Sequence, residues 1–222
     1  MVGLITRFIG LVICFSAVGC SPDQTPQLIL QLKDEDVEVR RAAAKALGEL
    51  GRATPKSAVS PLSEVVTDKD REVRRFACFA LGEMGPVADS AIPALIHALK
   101  DRELSVRLSA AFAIYKINPE NKAYVPELLN TMRQGEGGTI VSVGKMGSNA
   151  GWAVPTLIIL LKDRRPGIRR LAAEALGRIG SDTHSTESAL KKALNDPDDR
   201  VGEAARESLR MIHSIDGENS SE

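Results

Sequence analysis

Apolar residues in this chain recur at the three- and four-residue spacing of a single helical face, in bursts separated by polar turns. Val39, Ala43, Ala46, Leu47 and Leu50 share one such face. The same face returns as Val73, Ala77, Ala80, Leu81 and Met84, and again as Ile168, Ala172, Ala175, Leu176 and Ile179. A shorter apolar stretch stands ahead of each burst: Leu28 to Leu32, Val59 to Val66, Ile92 to Leu99, Val125 to Met132, Val154 to Leu161 and Ala189 to Leu194. Proline falls near the start of most of them, at Pro26, Pro61, Pro93, Pro126 and Pro155, where a first-turn residue has no helical hydrogen bond to lose. Gly51, Gly85 and Gly180 are placed to end the second helices in left-handed conformation, and Asn118 is expected to take that role once. The pattern predicts helix pairs in which neither helix buries its apolar face alone, so that neighbouring pairs must stack.

Aligned on itself, the chain yields a phrase of the form D-x5-V-R-x2-A-A-x-A-L-G-x-L-G, starting at Asp34, Asp68, Asp101, Asp163 and Asp196. These aspartates lie 34, 33, 62 and 33 residues apart, and the long gap has room for one further unit. Its remnant, Val143-Gly144-Lys145-Met146-Gly147, ends as the others do but lacks the Ala-rich helix before it. The expected units are 26–51, 55–85, 90–118, a degenerate 123–147, 152–180 and 185–213, within a repeat region of 26–215 followed by a polar tail at 216–222.

This phrase resembles HEAT repeats, in particular the short HEAT-like repeats of the phycobilisome-lyase type. The resemblance implies an all-α, right-handed α-solenoid of about six HEAT-like helix pairs, with the second helices lining a concave face. It also implies that Asp34/Arg40, Asp68/Arg74, Asp101/Arg107 and Asp163/Arg169 form a structural ladder tying each inter-helix turn to its neighbour. An aspartate at such a turn is further expected to cap the helix that follows and to complement its positive end. A row of acids and bases in a catalytic groove is the competing reading of the same residues. The final unit carries Gly202 where the others carry arginine, as befits a terminal cap.

In a solenoid, function resides on positions the core leaves free. The row starting two residues after each Val and continuing four and eight further on is mostly charged, with i,i+4 pairs worth a few tenths of a kcal/mol each. Phe79 and Phe112 break that rule, holding the place occupied elsewhere by Lys45, Glu174 and Glu207, and Leu108 joins them. With Arg41, Arg75 and Lys116 at the rim, these residues are a candidate partner-binding hot spot. The alternative is that the two aromatic rings only fill local geometry.

The fourth unit offers Gly135-Glu136-Gly137-Gly138-Thr139-Ile140, read as flexible backbone that forms either a hinge or a shortened helix. A phosphate loop ending in Gly144-Lys145 does not fit, because Thr139 stands where the first glycine is needed and Met146 where Ser or Thr is. His97, His184 and His213 show no metal-ligand spacing, and neither a nucleophile motif nor clustered carboxylates appear. The sequence therefore predicts no catalytic residue, no metal and no cofactor. Formal charge is zero, with 29 basic and 29 acidic groups, which gives no electrostatic reason to expect nucleic acid as a partner.

Residues 1–19 read as an export signal: Arg7 lies ahead of an apolar stretch from Phe8 to Val18, too short to span a bilayer. Ala17-Val18-Gly19-Cys20 resembles the lipobox of bacterial lipoproteins, which implies cleavage before Cys20 and its diacylation, with residues 20–25 as a short linker. Anchoring through several acyl chains at about 0.8 kcal/mol per buried methylene would be stable. Ser21 implies an outer-membrane, periplasmic-side location in a diderm host, the alternative being an ordinary secreted or periplasmic soluble protein. Cys78, the only remaining thiol, rules out a disulfide framework and is expected to be a small buried core residue. The function so predicted is a membrane-anchored interaction scaffold binding an unidentified protein on its concave surface. An accessory, lyase-like role on a bound small molecule or chromoprotein is the alternative.

Overall fold

The computed structural model describes residues 24–180 and 184–219, with side chains through His213. The export signal, Cys20 and the last three residues of the polar tail lie outside the described residues. Two compact units divide the chain, one ending at Tyr124 and the other beginning at Val125. Among the described residues every regular element is helical, and the expected all-α array of six helix pairs is what forms.

The first unit holds three pairs: α1 (Thr25–Gln31) with α2 (Val37–Leu50), α3 (Val59–Val65) with α4 (Arg71–Met84), and α5 (Ile92–Ala98) with α6 (Leu104–Ile117). The second holds α7 (Val125–Arg133) with α8 (Gly137–Gly144), α9 (Val154–Leu160) with α10 (Pro166–Ile179), and α11 (His184–Ala193) with α12 (Asp199–Asn219). Within each unit the second helices stack in series, α2 on α4 on α6 and α8 on α10 on α12. Leu32, Leu47, Leu62, Leu81, Leu95 and Ile114 are fully buried in the first unit, and Leu128, Met132, Ile140, Leu157 and Leu176 in the second. These side chains come from both first and second helices, which is how two amphipathic faces fuse into a shared core within each unit.

The stacking distance is set by small residues. A Cβ built on Gly82 would lie 2.9 Å from the Cα of Ala113, one on Gly144 3.0 Å from the Cα of Ala175, and one on Gly177 2.8 Å from the Cα of Ser208. The phrase thus carries a glycine three residues before its terminating one because a neighbouring helix backbone passes there.

Three local expectations change. Gly51 and Gly85 have positive φ with ψ of −124° and −147°, a region only glycine occupies readily, whereas Gly180 is truly left-handed. Asn118 is not left-handed at all: φ is −148° and ψ 93°, because Pro119 follows and excludes the helical region for the residue before it. The repeated aspartates do not cap the helices. Asp34, Asp68, Asp101, Asp163 and Asp196 each accept from the amide two residues on, and Asp36 and Asp70, in that next position, are the N-caps of α2 and α4.

In the fourth unit the glycine-rich segment forms a shortened helix, one of the two expectations for it. Gly135 has φ of 78°, but Gly137 and Gly138 lie in the first turn of α8. Near the C-terminus, α11 begins at His184, before the expected Ala189. The backbone of α12 stays helical to Asn219, past the start of the expected polar tail.

Candidate functional site

The ladder residues form a repeated polar pattern along the inter-helix turns. Arg40 donates from Nε to Oδ2 of Asp68 (2.8 Å) and from Nη2 to its Oδ1 (3.2 Å), while Nη1 donates to the backbone carbonyls of Asp34 and Glu35. Arg74 repeats the arrangement on Asp101 (2.7 and 3.0 Å) and on the carbonyls of Asp68 and Lys69. Arg169 does the same on Asp196 (2.7 Å in both contacts), with Nη1 on the carbonyl of Asp163. One guanidinium thus joins its own inter-helix turn to the carboxylate of the next. Arg107 donates from Nη1 to the carbonyls of Asp101 and Arg102 within its own turn.

Hydrogen bonds and burial compete in the electrostatics. The bond from Arg169 holds Asp196 below the ordinary carboxylate value. Burial pushes Asp101 up, but the bond from Arg74 and the amide of Glu103 outweigh it and leave it lowered. Arg40, Arg74 and Arg169 are each raised, mainly by the bond to the next aspartate. Arg40, Arg74 and Arg169 are thus committed to bidentate bonds with Asp68, Asp101 and Asp196, the arrangement expected of a structural ladder.

The candidate hot spot lies on the second helices of the first unit. Phe79 is 39% exposed, against the face of α2 where Gly48 leaves room for its ring. Phe112 and Leu108 are half-buried. The rim cations are already engaged. Arg41 donates to both carboxylate oxygens of Asp70 (2.9 and 2.6 Å) and to Glu38, which sets Asp70 well below its usual range. Arg75 pairs with Glu72 and lies 4.2 Å over the ring of Phe76, and Lys116 reaches Glu83 on α4. The cations of the rim are therefore all paired with acids rather than presented as free charge.

Sequence reasoning missed a second feature on the corresponding face of the second unit. An open trough of about 620 Å³ runs between α10 and α12, with Arg170, Glu174 and Arg178 on one wall and Glu203, Glu207 and Met211 on the other. Arg170 pairs with Glu174, and Arg178 stands 3.9 Å from it. These residues belong to the free row, so the row located the wall, but its depth comes from the small residues at the floor, Ala204 and Ser208.

The remaining candidates are quiet. Cys78 is buried, and burial pushes its thiol up to about 12, so it is neither nucleophile nor ligand. His213 contacts Glu187 at 3.3 Å, and no cluster that could hold a metal occurs among the described residues. No described helix is long and apolar enough to cross a membrane.

No curated protein matches the sequence. Among solved structures, the CpcE–CpcF complex of phycocyanin lyase from a Nostoc species is 23% identical, with a TM-score of 0.57 over 90% of this chain and 81% of that one. An engineered protein is also 23% identical, with a TM-score of 0.57 over 86% and 97% of the two chains. A computationally designed armadillo repeat protein for modular peptide recognition is 18% identical, with a TM-score of 0.53 over 85% and 99%. These likenesses are of fold. The sequence model of HEAT repeats matches residues 25–115, 59–137 and 138–212, and so the chain belongs to the HEAT repeat family.

Proposed function

We propose that this chain is a non-catalytic interaction scaffold, held at a membrane by a lipid on Cys20, that binds another protein through the exposed face of its second helices. The observation that carries the reading is Phe79: a large aromatic side chain, 39% exposed, at a repeat position that is charged in most other units. Exposed aromatics with a partly desolvated surround are the usual anchors of protein contacts. Phe112 and Leu108 extend the apolar centre. Arg41, Arg75 and Lys116, paired internally, contribute stiffness and shape rather than free charge.

The Asp–Arg ladder is structural in this reading. The short segment between Cys20 and α1 would keep the repeats close to their membrane. The bilayer would be contacted through the anchor alone, and nucleic acid is not expected as a ligand. Localisation to the periplasmic side of an outer membrane is part of the proposal for a diderm host.

Two measurements test it. Affinity capture from native membranes, comparing wild type with Phe79→Ala/Phe112→Ala, should lose a specific protein only in the double variant; a partner retained by both removes the site from this face. Separately, Cys20→Ser should shift the protein from the detergent-rich to the aqueous phase. Unchanged partitioning would sink the anchor.

A further inference from the structure

The fourth unit is short by one helical turn. Asp101 and Asp163 are 62 residues apart, whereas two steps of the repeat span 66 or more, a deficit of at least four residues. A whole-turn loss keeps the surviving face in phase, and so Gly144 still meets Ala175 as Gly82 meets Ala113. The missing turn is the first one: α8 starts at Gly137, seven residues before Gly144, whereas α2, α4 and α10 start eleven residues before Gly48, Gly82 and Gly177.

That loss removes a ladder arginine. In the intact units the arginine stands eight residues before the close-approach glycine, as Arg40 before Gly48, Arg74 before Gly82 and Arg169 before Gly177. Eight residues before Gly144 stands Glu136, an acid. Asp163, the next carboxylate in the series, would then face a second negative charge.

Arg165 occupies that gap. It donates from Nε and Nη2 to the two oxygens of Asp163, 2.9 Å in both cases, and the negative charge of Glu136 also favours its charged form. Its guanidinium lies where a side chain of residue 135 would be: a Cβ on Gly135 would fall 1.8 Å from Nη2. We propose that Arg165 is a reversed rung, reaching back from the fifth turn to the fourth, and that the α8–α10 joint it spans opens before the other joints of its unit.

The reversed rung is weaker than the ones it replaces. Arg40, Arg74 and Arg169 each give two hydrogen bonds across their joint, and their side chains are 16%, 7% and 12% exposed. Arg165 hydrogen-bonds only within its own turn, crosses the joint by charge and contact alone, and is 46% exposed. An exposed pairing of this kind is screened by salt. The device gives the second-helix face of this unit one adjustable joint, and it holds whether or not Phe79 binds a partner.

Hydrogen exchange of the full chain, read by mass spectrometry, tests this with Arg165→Ala, Glu136→Gln and the double variant. In wild type α8 should exchange faster than α12, and α8 exchanging no faster than α12 would overturn the proposal. Arg165→Ala should speed exchange of α8 by about two- to fivefold, as expected for an exposed pair, without affecting α12 across the other joint of the unit. Glu136→Gln should have a smaller effect in the same direction. In the double variant the two effects should be less than multiplicative, and the coupling should shrink in high salt. Independent effects would overturn the proposal, as would acceleration confined to the turn around Asp163. Both substitutions are on exposed side chains, and unchanged circular dichroism confirms that each variant is folded.

Discussion

At the level of single residues, the close-approach glycines are the most sensitive positions. The phrase displays them plainly, but a sequence does not show that a neighbouring backbone passes 2.9 Å from where the Cβ of residue 82 would sit. Gly82→Ala should therefore destabilise the protein by about 1–3 kcal/mol in chemical denaturation, the range for overpacking a filled interface. Gly167 is also helical, yet an added Cβ there meets nothing within 4 Å. Gly167→Ala should stabilise by about 0.5–1 kcal/mol through helix propensity and the unfolded chain. If both variants moved stability the same way, close approach would not be what sets these positions. Asp163 gives a residue-scale check on its arginine. The hydrogen bond from Arg165 is the largest cause lowering it, to about 2 from an ordinary 3.8. A carboxyl-detected NMR titration should find it low in wild type and raised part of the way toward 3.8 in Arg165→Ala, because the amide of residue 165 still donates to it.

The helix pairs were the most legible elements, because their apolar faces repeat at the helical period and proline and glycine mark their ends. Connections between elements were less legible. The spacing of six between Asp and Arg suggests a pair within one unit, but the short contacts of Arg40, Arg74 and Arg169 run to the next unit's aspartate, 27 or 28 residues on. The direction of a side chain out of a turn is a three-dimensional fact that spacing alone does not encode. The candidate hot spot was half legible. Phe79 and Phe112 stood out against a charged row, whereas the capture of Arg41 by Asp70 depended on the N-cap geometry of α4. The ladder makes a specific prediction for elements. Arg74→Ala leaves Asp101 without its bidentate partner at a site where that carboxylate's side chain is 12% exposed, and should cost about 3 kcal/mol in urea unfolding. Arg74→Lys should recover little of this, since an ammonium cannot bridge two turn carbonyls and both carboxylate oxygens at once. Near-complete recovery by lysine would mean that charge rather than fork geometry joins the turns.

Across the whole molecule, stability should follow the ladder carboxylates. The chain carries equal numbers of acidic and basic groups, so near neutrality its net charge gives no reason for expansion. Asp101 in the first compact unit, and Asp163 and Asp196 in the second, all titrate below the ordinary value of 3.8 in the folded protein. A carboxyl group whose folded value is depressed contributes stability that is fully present above its unfolded value and is lost as pH falls through the folded one. Acidification from pH 6 to 5 should therefore leave the melting temperature nearly unchanged. Below about 3.8 it should fall steeply, and the loss should extend toward pH 2, where Asp163 itself takes up its proton. Generic charge repulsion also grows in acid, so the decisive comparison is Asp101→Asn. That variant should be less stable at pH 6 because it has lost its charged bond with Arg74, and it should show a shallower acid decline than wild type. Parallel acid profiles for the two proteins would assign the decline to net charge and leave the ladder without a part in it.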